Sequence, residues 1–349
     1  MSAPHAITIA GGGLAGLSLG LALRRREIPV TVLEAGTYPR HRVCGEFMSG
    51  FGQDVLAELG VLPACKNAGA RWAETVQFAT PTAVGPVRRL PHPALCLSRH
   101  RMDELLASAF EASGGDLRTG VRCADPVGRE GWVRATGRRP APPGGTWRWF
   151  GIKAHARGVV LGADLELHVG PGAYVGICRL DADRVNICGL FRRRAGDPSP
   201  APRSPVAWLR GPEGTLWNAR AGGADFDLAS VCTTGGLDLR MRPTVPPGTL
   251  LLGDTLAVIP PLTGNGMSLA LESARLAAGP LTAFARGELA WTETCASVRH
   301  RHHSAFRQRL LWAGILQRLL FAPVAPALLF RILQRSESVW RALFAVTRG

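Results

Sequence analysis

Apolar positions near the N-terminus fall in short runs broken by glycine, the pattern of buried strands feeding helices. Ala6-Ile7-Thr8-Ile9-Ala10 predicts a strand, Leu17 to Arg25 an apolar helix, and Val30-Thr31-Val32-Leu33 a second strand ending at Glu34. Arg99 to Ser113 has helical spacing, with Leu105, Leu106, Ala109 and Phe110 on one face and Gly114-Gly115 as its stop. Alternating segments follow at Gly151–His155, Leu165–Val169, Ala173–Leu180 and Arg184–Leu190, which suit an antiparallel sheet. Pro140 to Gly145 reads as a linker, and Arg192 to Pro205 as a surface loop. The buried-strand pattern returns at Thr249–Leu252 and stops at Gly253-Asp254.

Two glycine-rich turns carry candidate chemistry. Gly11, Gly13 and Gly16 fit G-x-G-x-x-G between the first strand and its helix, with Leu14 and Ala15 inside the motif. The first glycine makes the tight turn, the second lets backbone approach a pyrophosphate, and the third lets helix and strand pack closely. Glu34 and Ala35 follow the second strand, and the Glu34 carboxylate lies 18 residues past Gly16, near the spacing of a ribose-binding acid. In the second turn, Gly253-Asp254 precedes Pro260-Pro261 and then Gly264-Asn265-Gly266-Met267, which opens a helix rich in small residues. A carboxylate beside a helix N-terminus suits a ligand with a hydroxyl-bearing chain and a ring that gains negative charge, as a flavin does.

These motifs, with Arg42-Val43-Cys44-Gly45-Glu46, the helix from Ser98-Arg99, and Ala135-Thr136-Gly137-Arg138, come in the order found in FAD-dependent oxidoreductases of the p-hydroxybenzoate hydroxylase type. Within them the chain most resembles the geranylgeranyl reductase family, over residues 5 to 285 with gaps. The resemblance implies an α/β fold: a Rossmann-like FAD-binding domain of the glutathione-reductase type, an inserted antiparallel β-sheet substrate domain and a helical C-terminal tail. The implied boundaries are 1–145 (with a substrate-domain excursion at about 65–97), 146–245, 246–290 and 291–349. FAD would contact Gly11, Gly13, Leu14, Ala15, Gly16, Glu34, Ala35, Arg42, Arg99, Gly253, Asp254, Pro261, Gly264, Asn265, Gly266 and Met267. NAD(P)H, if used, would bind transiently at the flavin face, since no second dinucleotide fingerprint is visible.

The stretch from Tyr174 to Gly189 keeps Tyr174 and Asn186 of a geranylgeranyl reductase signature but replaces its Trp, Phe and Pro with Gly176, Cys178 and Arg179, and its last Gly with Cys188. Tyr174, Asn186 and His155 are candidate substrate residues on sheet strands, and Cys44 and Glu46 are candidate catalytic residues. Cys44 would protonate a substrate carbon or stand as a small wall residue. Glu46 would act as an acid–base group or as a salt-bridged carboxylate. Trp147-Arg148-Trp149 has a superficial likeness to a flavin-halogenase signature without its proline, and reads as packing. His300 to His303 point different ways on a helix without an acid partner, so no metal is expected. Reduction of a C=C bond in an apolar isoprenoid, lipid or polyketide-type substrate is the favoured activity. Monooxygenation of a polyketide or aromatic substrate is the alternative, and a membrane-associated flavin-binding partner without turnover stands in another class.

Composition narrows this little. The chain of 349 residues is 46% hydrophobic, enough for a sizeable core. Its eight cysteines include no C-x-x-C, and no secretory stretch precedes the first strand, so a cytoplasmic protein with reduced thiols is expected. Only Lys66 and Lys153 are lysines in a net charge of +15. From Arg299 onward nine arginines stand against Glu337 alone, interleaved with bulky apolar residues. That pattern predicts amphipathic helices on the inner, anionic membrane face. The other reading is a helical tail packed on the body. Nucleic acid is not an expected partner, because no reader motif accompanies the charge.

Overall fold

The computed structural model of the chain describes residues 4–123, 128–138, 145–197, 204–237, 247–322 and 325–348. The linker expected at 140–145 lies outside them except for Gly145. In chain order, β1 (Ile7–Ala10), α1 (Leu14–Arg24) and β2 (Val30–Leu33) form the first unit. The next segment holds β3 (Phe47–Met48), α2 (Gly52–Glu58), α3 (Leu62–Asn67), β4 (Arg71–Ala79) and β5 (Arg88–Cys96). Then come α4 (Arg99–Ala112), β6 (Asp116–Arg118) and β7 (Trp132–Arg134). The central segment runs β8 (Trp147–Arg157), β9 (Leu165–Gly170), β10 (Ala173–Arg179), β11 (Arg184–Arg194), α5 (Pro205–Arg210), α6 (Leu216–Ala221) and β12 (Asp225–Gly235). Last are β13 (Leu250–Leu251), α7 (Gly266–Ala285), α8 (Trp291–Leu320), α9 (Ala325–Arg335) and α10 (Glu337–Arg348).

Two sheets organise these elements. The first is a parallel sheet in the order β13-β7-β1-β2-β6, with α1 and α4 packed on it and α7 packed on α1. Burial of Ile7, Ile9 and Ala10 explains why β1 is nearly all apolar, and α1, which lies between α4, α7 and the sheet, buries all but its last residue. The second has eight strands in the order β12-β8-β11-β10-β9-β4-β5-β3, antiparallel except where β4 meets β9. At that parallel junction, the Asp164 carboxylate accepts from the Glu74 and Thr75 amides (both 3.0 Å) and the Thr75 hydroxyl (2.7 Å).

The structure departs from the sequence pattern in three places. Strand β5 contains Pro91 and Pro93, which argue against a strand; they fall inside an irregularity where the β4–β5 register jumps from Ala73↔Ala94 to Thr75↔Arg89. Strand β12 gives no alternating signal because it is an edge strand with several exposed positions and a break in register between Asp227 and Cys232. Helix α1 begins at Leu14 rather than Leu17, so Gly16 lies within its first turn.

The basic tail is part of the body. Helix α8 packs on α7 through a buried pair in which both Arg309 Nη atoms donate to the Glu272 carboxylate (3.0 and 2.6 Å). His302, pushed down to about 4 by burial, donates from Nε2 to the Ser273 carbonyl at 3.0 Å. Phe306, Leu310 and Ala313 of α8 are buried, and Trp340 and Phe344 of α10 join a core with Phe47, Val76 and Leu90. Arg88 of β5 pairs with Glu337. Leu328 and Ile332 of α9 remain exposed. Trp149 packs edge-on against Phe321 at 4.6 Å, and Arg192 lies over Trp147, so these tryptophans serve packing. Among the described residues, no helix is long and apolar enough to cross a membrane.

Removing one partner of a buried ion pair costs about 3–5 kcal/mol, while replacing both with apolar groups is near neutral. Arg309→Met should therefore lower stability in urea unfolding by about that amount, and adding Glu272→Leu should restore most of it. An unchanged midpoint for Arg309→Met would mean that α8 does not contribute to the folded core.

Candidate active site

A cavity of about 1140 Å³ lies between the two sheets and the tail helices. Its polar end is built at the first glycine turn. A β-carbon on Gly11, whose φ is +108°, would stand 2.3 Å from the Ala135 carbonyl oxygen, and one on Gly16 would stand 1.9 Å from the Gly11 oxygen. Backbone therefore meets backbone at both positions. Gly13 differs: it lines the cavity, and its β-carbon would meet nothing within 4 Å. As the N-cap of α1 it offers no side-chain cap, and the first α1 bond is made by the Leu17 amide to the Gly13 oxygen. The earlier first-turn amides thus lack helical acceptors, and Leu14 and Ala15 line the cavity. Open space, first-turn amides without a partner among the described residues and a positive helix end fit a pyrophosphate.

Glu34 locks this turn. Its Oε2 accepts from the Gly12 amide and its Oε1 from the Gly36 amide and the Arg40 guanidinium, all at 2.8 Å. Burial would raise its pKa, but the Arg40 pairing and the two amides outweigh it and hold the carboxyl at about 2. An ionised carboxylate has about four acceptor sites, so Oε2 retains one for a ribose hydroxyl. Tyr38 donates to the Gly12 carbonyl and braces the same loop.

Across the cavity, Gly253, Asp254, Pro261, Gly264, Gly266 and Met267 form the facing wall. Helix α7 begins at Gly266 without a side-chain cap, giving a second set of first-turn amides. Asp254 pairs with Arg138 at 3.2 Å; burial raises its pKa, opposed by Arg138, Arg99 and Arg42. Arg99 is held by a bidentate pair with the buried Asp103 (2.7 and 2.8 Å), and Arg42 reaches the same carboxylate at 3.5 Å. Ala35, Arg42 and Arg99 also line the cavity. Two expected contacts stand back from it: Gly16 serves helix–strand packing, and the buried Asn265 donates to the Thr347 carbonyl of α10.

Three further residues need correction. Glu46, His155 and Asn186 do not line the cavity. Glu46 is fully buried, with φ of +55°, a conformation that costs a residue bearing a β-carbon about 1–2 kcal/mol. Its Oε1 accepts from the Arg99 amide (2.9 Å) and Lys153 Nζ (3.2 Å), and its Oε2 meets His155 Nε2 at 2.7 Å. Asn186 donates to the Cys44 carbonyl at 3.0 Å, so it shapes the wall from behind. Cys44 does line the cavity, and burial raises its thiol pKa, which leaves it protonated at neutral pH. His41, Glu46 and His155 bring three metal-ligand atoms within 4.8 Å, yet the Lys153 ammonium lies 3.2 Å from Glu46 and from His41 Nδ1 and already supplies the cation. Sequence reasoning passed over Lys153. Its signal was rarity, as one of two lysines in an arginine-rich chain.

The other end of the cavity is apolar. Leu167 and Val169 of β9 and Leu190 of β11 face Leu316 and Leu320 of α8, Phe330 and Leu333 of α9, and Leu343 and Phe344 of α10. Tyr174 lines this chamber, buried, with its hydroxyl beside the Leu262 amide. Burial raises its pKa well above the ordinary phenol value, so it is neutral.

No protein-family model matches the chain. A curated relative, conditioned medium factor receptor 1 of Dictyostelium discoideum, is 28% identical over 120 residues, covering 31% of this chain and only 24% of its own length. Solved structures match nearly the whole chain. The flavin-dependent brominase Bmp2 aligns with TM-score 0.79 at 15% identity, over 99% of this chain and 94% of its own. PqsL of Pseudomonas aeruginosa, described as a probable FAD-dependent monooxygenase, aligns with 0.67 at 16%, over 99% of both chains. An oxygenase of 2-methyl-3-hydroxypyridine-5-carboxylic acid aligns with 0.69 at 18%, over 99% and 97%. The chain therefore has the FAD-dependent hydroxylase fold. The geranylgeranyl reductase likeness rests on the sequence motifs alone.

The two turn glycines give opposite expectations. Gly13→Val projects into the cavity without a clash, so it should keep the melting temperature of FAD-stripped wild type and lose flavin absorbance. Gly11→Val meets the Ala135 backbone and should fail to fold. Stoichiometric FAD on folded Gly13→Val, read from the visible spectrum, would rule out this turn as the cradle.

Proposed function

We propose that the chain is an FAD-dependent oxidoreductase of the monooxygenase type acting on an apolar, uncharged molecule. The carrying observation is a single cavity with a dinucleotide cradle at one end and an apolar chamber at the other. Its volume of about 1140 Å³ exceeds the range of about 300–1,000 Å³ usual for one small ligand. Reduced FAD supplies two electrons, to an organic acceptor or to dioxygen.

The chain's own groups do the rest. The Gly13 turn holds the pyrophosphate, the free Oε2 site of Glu34 takes a ribose hydroxyl, and Asp254 accepts from the ribityl chain. The α7 amides stabilise negative charge on the ring. The apolar chamber excludes water and orients the substrate, with the neutral Tyr174 as a polar tip. The fold shared with proteins described as a monooxygenase, an oxygenase and a brominase supports oxygen chemistry over C=C reduction. The motif that favoured reduction also weakens, since Asn186 braces Cys44 from outside the chamber. Exposed Leu328 and Ile332 beside Arg331 and Arg335 support peripheral contact with an anionic membrane surface.

The purified protein should be yellow and bleach on addition of NADPH. Turned over under ¹⁸O₂ with a lipid extract, it should yield a product carrying one ¹⁸O; a product gaining two hydrogens and no label would reverse the choice in favour of reduction. Asp254→Ala removes a charge-assisted acceptor worth about 1.5–3 kcal/mol, so the FAD dissociation constant should rise roughly tenfold to a hundredfold. An unchanged constant would remove Asp254 from the FAD contacts.

A further inference from the structure

Beside Cys44, where the two sheets meet, lies a buried set of charges that holding FAD does not require. Lys153 of β8 is fully buried, with Nζ 3.2 Å from Glu46 Oε1 and 3.2 Å from His41 Nδ1. Glu46 is fixed in turn by the Arg99 amide and His155. The His155 backbone amide donates to Ser230 Oγ at 2.7 Å, within the register break of β12. Apolar residues of similar size would hold this junction as well as a buried ion pair does. A strained glutamate and a rare lysine spent here therefore point to a task beyond packing.

The task is legible at His41. An ammonium group has three protons and no lone pair, so Lys153 donates and His41 Nδ1 accepts. The imidazole is then neutral, with its proton on Nε2. His41 lines the cavity, and among the described residues no hydrogen bond engages Nε2. We propose that His41 is a ligand-binding residue, a fixed Nε2–H donor to an oxygen of the molecule in the cavity, and that Lys153, anchored by Glu46, is the positioning residue that sets its tautomer. Four groups face the ring: Lys153, His155 edge-on at 5.2 Å, His100 at 4.5 Å, and Glu46. Burial, then Lys153, His155 and His100, push its pKa down to about 4 against the pull of Glu46. Protonation of this ring is thus delayed to acid, and the donor stays neutral across the physiological range.

The acceptor oxygen belongs either to FAD or to a nicotinamide dinucleotide donor, and this choice alone rests on the flavin reading. Histidine ¹⁵N spectra of the protein as purified should show His41 as the Nε2–H tautomer, titrating near pH 4. In Lys153→Met, or in Lys153→Met/Glu46→Gln if the single variant is unstable, the ring should lose its fixed Nε2–H tautomer, and in the single variant it should also titrate higher. A wild-type Nδ1–H tautomer, or titration near the ordinary 6.5, overturns the proposal whether or not FAD is bound. His41→Phe should raise the FAD dissociation constant about tenfold, with partial recovery in His41→Gln, if the oxygen is on FAD. If FAD binding is unchanged and the NADPH constant rises about tenfold instead, the oxygen is on the donor. Unchanged binding of both overturns the assignment.

Discussion

The backbone contact at Gly11 is the constraint on which the polar end of the cavity depends. At that point β1, the start of α1 and the loop after β7 approach so closely that no side chain fits between them. The geometry that results points the first-turn α1 amides into the cavity. Glu34 then makes the arrangement permanent by accepting from Gly12 on one side and Gly36 on the other. Because the carboxyl is held ionised down to about pH 2, the clamp survives mild acid. A group whose pKa is depressed on folding stabilises above its unfolded value near 4.5, and that stabilisation fades only as the pH falls from there toward 2.

The cavity has two makers. The parallel sheet and its helices supply the charged cradle, where Arg42, Arg99 and Arg138 each lean on a carboxylate and so keep fixed directions. The antiparallel sheet and the tail supply the apolar chamber. Their meeting line is where Glu46, Lys153, His155 and His41 lie, and where Asn186 reaches from the sheet to the Cys44 carbonyl. Charge at the junction fixes how one wall faces the other, while Leu167, Val169, Leu190, Leu316 and Leu320 give the chamber its apolar surface.

Much of this was legible in the residues. The strand–glycine–helix unit and the Gly253 to Met267 block announced themselves because steric demands on backbone leave few alternatives in sequence. The four central strands were visible through their alternation. The hairpin β4–β5 was hidden by Pro91 and Pro93, which the register break absorbs. The tail's pattern of arginine and apolar residues fits a membrane surface and a packed helix equally, because both bury one face. Tertiary contacts such as Arg309–Glu272 show that α8 packs on the body, while α9 keeps Leu328 and Ile332 exposed. Glu46 and Asn186 sat in motifs and His155 on an expected strand, but neither signal fixes which way a side chain points. Lys153 carried no motif at all.

The parallel junction between β4 and β9 has a consequence for how the molecule assembles. It pairs Val76 with Leu165, residues 89 apart in the chain, whereas β10 and β11 pair across a short hairpin. Closing a long loop carries an entropy cost that local contacts do not, and such pairings form slowly. Strand β12 meets β8 at a comparable separation, at Asp225↔Arg157 and Gly235↔Phe150, so long-range pairings hold the eight-stranded sheet together at more than one place. Asp164, gathering two amides and a hydroxyl where β4 meets β9, ties the longest of these pairings with side-chain as well as backbone bonds.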